Sequence, residues 1–598
     1  MKINHYKIGE FYPTENKPNS ILNKNETEKL SKDLSKFYTK IIINLKKSYQ
    51  KKIDIKNSNF ILRRAVVPIT YVFFERCVRS INAQKKKNIR NESLFYSFQK
   101  FNYIEEFENQ CSNSIDFNYY LNSNFINILK NKELKNKNII THNNFEKINV
   151  NKKKINHLTK YYDYTSKIKV YLLRKLEKIV NIFFYYEKLL ITNTANSEPS
   201  FVKNFFFITK FSRVKKQKLP PSIGYNEKLR DDVFDNLPIN LNDFKKVLNS
   251  YNITNKQTEQ LYRYYLLFLK KYFPIYYLED AIKNYSVINR FVQKFKKKIL
   301  FSSDDESSYS TLLYCVAKNL GFKIIKFQHA AHGGYIKDNV DFEEVESKTC
   351  DIYLTLGWKN KIKNICNKYI EFASLPSPWL SEKQKYFANY DLNIKKKYDI
   401  IFFPQFVKPY TNSFQGISNF KRDILKSYIE TIKTLIGVAK KNNFRICIKF
   451  YNKVTELFLE NTLKKLKKRY RQNVIILNNN DKGISKIITQ YGEMVIFDQI
   501  GTGFFECLIC GIPTMVINKG NFCIPNSSSK NFFQDLKKVG LLHNSEKLLI
   551  KEYKIFILSK DKWMNDSLRK KMIHNFCRAF ANTDKFWEKK WLKYLRNL

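Results

Sequence analysis

Two stretches of this 598-residue chain hold the residue types that a bond-making site needs. The first, Gln328-His329-Ala330-Ala331-His332-Gly333-Gly334, follows the strand-like run 323–327 and sets two of the chain's seven histidines beside a glycine turn. An unperturbed imidazole titrates at about pH 6.5, so His329 or His332 can take a proton from an acceptor hydroxyl at neutral pH. The plainer alternative is a histidine that only hydrogen-bonds the turn. Residues 341–346, DFEEVE, follow with four carboxylates in six positions. Among them Glu343 and Glu344 can supply a base or orient one, or can be ordinary solvated charge in a basic chain.

The second stretch is 494–517, MVIFDQIGTGFFECLICGIPTMVI, which reads as strand, glycine loop, helix, turn and strand. Gly501, Thr502 and Gly503 stand where the helix should start, so the backbone can turn sharply and point its first amides outward. Such a start suits a diphosphate, each favourable charge gaining about 0.3–1 kcal/mol from the helix dipole. The bland reading is a structural βαβ turn, since GxG is shorter than a full dinucleotide fingerprint. Asp498 ends the strand before the loop. Glu506, one turn into the helix, can accept hydrogen bonds from ribose or sugar hydroxyls, or can serve only the dipole. Lys449 closes the run 445–450, where an ammonium would meet a phosphate in the same cleft. Cys507 and Cys510 form a CxxC with no second pair at zinc spacing, so no metal is expected there.

The elements that must position these groups alternate in type. Strand-like runs at 299–301, 323–327, 351–356, 399–403, 445–450, 474–477, 494–497 and 514–517 are separated by helical patterns at 309–319, 421–441, 454–470 and 484–491. Alternation of this kind implies parallel sheets covered on both faces, with ligands at the carboxyl ends of the strands. Upstream, residues 19–298 read mainly as helices, with amphipathic spacing at 28–49 and 162–186 and a Lys- and Asn-rich surface insertion at 130–160. The expected organisation is α/β, two Rossmann-like domains with a large helical N-terminal elaboration. Residues 1–380 form the acceptor side, with core strands near 7–12 and 299–356. A linker at 381–397, a nucleotide-binding domain at 398–566 and a helical segment at 567–598 follow, the last able to pack back across the linker through Trp587 and Trp591.

Composition narrows the function classes. A hydrophobic content of 43% is ample for several cores, and the 10 cysteines are scattered, mostly inside apolar runs, as in a reducing compartment. The opening residues lack the apolar core of a secretion signal. Residues 60–78 carry Arg63, Arg64, Glu75 and Arg76 around about ten apolar positions, which suits a buried helix with a proline near its start better than a membrane span. A cytoplasmic protein is expected. The net charge of +53 comes from Lys spread along the chain with Asn and Ile, the pattern of AT-rich coding, which also accounts for 39 Tyr and 49 Phe. Nucleic acid is therefore not the expected partner. A basic surface still favours phosphorylated substrates and peripheral contact with the anionic inner face of a membrane.

Taken in order, these motifs resemble the transferase family of bacterial surface-polysaccharide and O-antigen biosynthesis clusters, which is related to the two-domain GT-B glycosyltransferases. The resemblance rests on Lys7-Ile8-Gly9-Glu10-Phe11-Tyr12, the proline-containing segment 60–76, Phe273-Pro274-Ile275-Tyr276-Tyr277-Leu278-Glu279, and Gln328-His329 followed by glycines. Residues 342–344, 351–358 and 498–513 complete the series. It implies a GT-B-like fold and transfer of a sugar from a nucleotide-activated donor to a surface-polysaccharide or lipid-linked acceptor, with no cofactor and no metal. In that scheme His329, supported by Glu343 or Glu344, deprotonates the acceptor. Gly501, Thr502, Gly503, Lys449, Asp498 and Glu506 line the donor site. Two departures stand out: the histidine loop is two or three residues longer, leaving His329 and His332 as rival occupants of one position, and Lys449 stands where arginine is expected. A CDP-polyol phosphotransferase of cell-envelope polymers and a non-catalytic glycan-assembly scaffold are the alternatives.

Overall fold

Strands that turn successive side chains to opposite faces build two separate all-parallel sheets. The computed structural model describes residues 24–86, 100–130, 164–192, 210–235, 237, 239–303, 307–328, 333–336, 346–364, 368–388, 396–404, 424–450, 459–469, 473–477, 492–518 and 524–598. The expected strand at 7–12, most of the 130–160 insertion and the helix at 484–491 lie outside these residues, as do His329, His332, Glu343 and Glu344.

The first sheet contains β1 (Leu189–Ile191), β2 (Phe211–Arg213), β3 (Ile299–Ser303), β4 (Lys323–Phe327), β5 (Ile352–Thr355) and β6 (Glu371–Ser374), in the order β2-β1-β3-β4-β5-β6. The described part of 19–298 is mainly helical, as read, with strands β1 and β2 as elements that the sequence reading did not include. Each is three residues long, too short to show a period, and exists because a parallel neighbour supplies its hydrogen bonds. The second sheet contains β7 (Tyr398–Phe403), β8 (Ile446–Lys449), β9 (Val474–Leu477), β10 (Gly492–Phe497), β11 (Thr514–Ile517) and β12 (Leu542–His543), in the order β12-β11-β10-β7-β8-β9.

The helix Asn59–Lys86 is buried almost all round, which explains why its sequence lacks a polar stripe. It begins early enough that Pro68 lies in its interior, not near its start. Its charges are matched inside the protein. Glu75 pairs with both Arg76 and Arg79, Arg76 donates to Asn118 Oδ1 at 2.9 Å, and Arg64 grips Glu108 with two bonds of 2.6 and 2.7 Å. Around it, Phe37, Phe73, Phe74, Phe244, Tyr265 and Phe268 form an edge-to-face cluster joining the helices of the elaboration into one core.

In the first sheet Leu190, Leu300, Ile324 and Tyr353 face that core. Their neighbours Leu189, Ile191, Phe301, Ile325, Phe327, Ile352 and Leu354 face the other way, onto Trp587 and Trp591. The last helix, Trp587–Arg596, thus returns from the second half of the chain to cover the first sheet. Its tryptophans are held by their indole N–H groups, Trp587 to Glu382 Oε1 and Trp591 to the Pro376 carbonyl, both at 2.9 Å. The helix Pro378–Phe387 that receives them is started by Ser377, whose side chain accepts from the Leu380 amide at 3.2 Å, and runs through the expected boundary at 380.

Because Trp591 is 3% exposed and meets Phe327 edge-on at 6.2 Å, truncation should leave a cavity over the sheet. Trp591→Ala is expected to cost about 3–5 kcal/mol, read as a lowered chemical-denaturation midpoint. An unchanged midpoint would show that the helix does not cover the sheet in solution.

Candidate functional site

In the second sheet the chain starts in the middle at β7, runs outward through β8 to β9, and returns to β10 on the other side. Connections therefore leave in opposite directions at the carboxyl ends of β7 and β10, which opens a crevice there for a ligand. Gly501, Thr502 and Gly503 come directly off β10, while Lys449 ends β8 beside β7. Both Lys449 and Asp498 are buried at these strand ends. Phe403 and Phe497 stack across the switch at 5.5 Å and 17°.

The glycines serve packing more than turning. Gly501 has φ −145°, extended backbone that any residue adopts, and a Cβ there would meet only Gln499 at 3.7 Å. A Cβ on Gly503 would lie 2.8 Å from the Phe497 ring, so the helix Thr502–Ile509 can approach β10 only with glycine at that position. As the N-cap, Gly501 brings no side-chain oxygen to the first-turn amides, and the Phe505 amide already bonds back to the Gly501 carbonyl at 3.1 Å. The positive end of the dipole faces the crevice.

Glu506 points elsewhere than expected for a ribose ligand. Its Oε2 pairs with Lys383 at 3.2 Å, with both side chains largely buried, in the seam between the helices Thr502–Ile509 and Pro378–Phe387. Burial pushes the Cys510 thiol up to about 12 and Cys507 well above its ordinary value, so neither supplies a thiolate. Burial first, and then the Asp498 carboxylate, raise the Tyr428 phenol, which keeps its hydroxyl neutral.

The histidine loop is anchored at both of its described ends. At the end of β4, Gln328 Oε1 accepts the Trp358 indole N–H at 2.8 Å and the Leu356 amide at 3.3 Å. Across the loop, Gly334 takes φ +83° and lies against the same tryptophan, where a Cβ would come within 2.2 Å of the ring. Tyr335 then enters the second half of the molecule. Its hydroxyl donates to the Ile500 carbonyl at 3.0 Å, one residue before Gly501. Its carbonyl accepts Ser529 Oγ at 2.7 Å and the Asn526 amide at 3.0 Å, and its ring packs on Phe505, Phe533 and Phe580. The two loops singled out by their chemistry are thus joined by one side chain.

The first sheet has its own switch point, between β1 and β3, where the helix Ser308–Asn319 begins. That helix start is occupied by the protein itself. Glu105, from the helix Ile104–Asn113, accepts the Ser308 amide and the Ser308 hydroxyl, both at 2.5 Å. Nothing in the sequence signals Glu105, because its partner is 203 residues away. The Pro274 to Glu279 segment works in the frame as well. Glu279 holds the buried Arg230 with bonds of 2.7 and 2.9 Å and also accepts the Asn226 amide at 3.0 Å. Among the described residues no group of three or more His, Cys, Asp or Glu is placed to hold a metal.

Gly334→Ala should destabilise strongly, because the new Cβ would overlap the Trp358 ring at a φ that disfavours alanine. A loss of more than about 1–3 kcal/mol is expected in denaturant titration, with a lowered melting temperature. A variant as stable as the parent would remove Trp358 as the support of the loop.

Solved structures that match share little sequence with the chain. UDP-GlcNAc 2-epimerase of Methanocaldococcus jannaschii, in complex with UDP-GlcNAc and UDP, is 11% identical, with a TM-score of 0.36 and coverage of 69% of this chain and 100% of its own. Anabaena Alr3699/HepE, in complex with UDP and glucose, is 9% identical at TM-score 0.30, over 52% of this chain and 81% of its own. MurG of Acinetobacter baumannii is 11% identical at TM-score 0.28, over 54% and 80%. None of the functionally curated proteins matches the chain in sequence. A family model does match, over residues 19–595, which takes in both sheets, the histidine loop and the glycine helix. By that match the chain belongs to the LIC12162 family of transferases.

Proposed function

We propose that this transferase moves a sugar from a nucleoside diphosphate donor to a surface-glycan or lipid-linked acceptor, on a GT-B-like frame. The observation that carries the reading is the glycine-started helix at the switch point of the second sheet, tied through Tyr335 and Ile500 to the histidine loop of the first. The amides of the first helical turn receive the diphosphate, and Lys449, at the end of β8 on the far side of β7, adds an ammonium group. Together they neutralise the leaving diphosphate, so the scheme needs no metal and no cofactor. Asp498, at the end of β10, lies beside the same crevice. Glu506 supports the helix Thr502–Ile509 through Lys383. The Glu105 carboxylate at the other switch point favours a single anion site, in the second half.

His329, with His332 as the rival for the same position, takes the acceptor proton, and Glu343 or Glu344 orients it. The anion of the acceptor oxygen then attacks the anomeric carbon as the bond to the diphosphate breaks. Closure of the halves around donor and acceptor excludes the water that would otherwise hydrolyse the donor.

A thermal-shift screen against CMP, CDP, UDP, GDP and their sugars tests the donor site. A binding nucleotide at one hundred times its Kd should stabilise by about 2.7 kcal/mol. Lys449→Ala should weaken that binding by about tenfold or more, since a charge-assisted bond contributes about 1.5–3 kcal/mol. A flat response to every nucleotide would leave the scaffold reading, and turnover only with a CDP-polyol would move the assignment to polyol-phosphate transfer.

His329→Ala is expected to reduce transfer by about 10²–10⁴ with donor and acceptor saturating. A base must be deprotonated, so kcat/KM should fall toward acid pH and level off at higher pH. If His329→Ala keeps full activity and His332→Ala loses it, the second histidine is the base; if neither matters, the mechanism is wrong.

A further inference from the structure

The helix Tyr164–Phe184 presents a face that none of the described residues covers. Its inward side is engaged: Glu177 pairs with Arg213 at 3.5 Å, and Asn181 accepts Lys188 Nζ at 2.6 Å. On the opposite side Leu172, Ile179, Ile182 and Phe183 follow helical spacing and are all exposed, Ile182 by 76% and Phe183 by 73%. Lys175 and Lys178 lie within the same stripe, both exposed.

A second group of charges borders it. Tyr186, just past the helix, is met by Lys294, whose ammonium lies 5.8 Å from the ring, and its carbonyl accepts the Lys296 amide at 3.1 Å. Lys294, Lys296, Lys297 and Lys298 are exposed cations around Phe295, and among the described residues only Lys296 has a carboxylate beside it, Glu187. Apolar side chains of this size, exposed together on a soluble surface, mark a contact site. The cations decide what kind. A second copy would bring the same lysines face to face, whereas an anionic bilayer accepts aromatic and aliphatic side chains at its acyl boundary and lysines at its headgroups.

We propose that this face, from Leu172 through Tyr186 with the 294–298 lysines beside it, docks the protein on an anionic membrane surface. It lies on the interface without spanning it, since no helix among the described residues is long and apolar enough to cross a membrane. The site does not depend on the transfer reading. Docking and nucleotide binding use different residues, so the two can fail separately.

The test is co-sedimentation of the full chain with vesicles of phosphatidylglycerol and phosphatidylcholine, against phosphatidylcholine alone. Pelleting is expected only with the anionic vesicles, and should weaken as salt rises because the lysine attraction is screened. Ile182→Glu/Phe183→Glu should bind at least about tenfold more weakly, with an unchanged melting temperature and an unchanged response to nucleotides. Lys294→Glu/Lys297→Glu should lose most of the salt-sensitive part. In a Phe183→Trp variant, the added emission should shift to shorter wavelength on anionic vesicles alone. Equal pelleting on both vesicles, full binding by the double glutamate variant, or a static tryptophan would each overturn the proposal. So would a dimer of the parent that the double glutamate variant does not form, which would make the face a self-interface.

Discussion

Tyr335 is the side chain on which the arrangement of the two halves depends. It leaves the first sheet by way of a loop that the Trp358 indole supports and ends fully buried among aromatic rings of the second half. Its hydroxyl reaches the carbonyl of Ile500, so the loop that carries the histidines and the loop that carries the glycines share one hydrogen bond. A bond of this kind contributes about 0.5–1.5 kcal/mol net, and the burial of the ring contributes more. Its larger consequence is geometric. Neither loop can shift without the other while that ring stays in place.

Two further ties act in the same direction. The backbone near Asn582 bonds to Leu356 and to Ser377, both at 2.8 Å, before the last helix covers the first sheet with Trp587 and Trp591. Lys383 and Glu506 close the seam between the crossing helix and the helix Thr502–Ile509. The chain therefore crosses between its halves twice and is fastened at each crossing, which suits a cleft whose walls must meet in one register.

The two switch points show how one architecture is used in different ways. Parallel strands force both sheets to open a crevice at their carboxyl ends, and each crevice has a helix starting in it. In the first sheet the helical elaboration fills that place with the Glu105 carboxylate, an anion supplied by the chain. In the second the N-cap is glycine, and Lys449 lies on the strand beside β7. The internal ion pairs follow a similar logic. Arg230 with Glu279, and Glu75 with Arg76 and Arg79, are charges whose burial is tolerated only because each is matched.

Much of this was legible in the sequence. The runs 323–327, 474–477 and 514–517 carry the strand boundaries that the structure shows, because apolar runs of that length flanked by helical patterns have few other uses. The glycine start of the helix Thr502–Ile509, the strand-end positions of Lys449 and Asp498, and the strand-to-loop junction at Gln328 follow from the same local pattern. What the sequence by itself determined is therefore what neighbours along the chain control: period, element type, and the residues left at strand ends. Only the tertiary structure decided the rest. The three-residue strands β1 and β2 exist because of partners far along the chain, Glu105 reaches a helix 203 residues away, Glu506 turns to Lys383, and Gly503 answers to Phe497. Those outcomes depend on contacts between distant segments, and such contacts leave no periodicity in a single chain to be read.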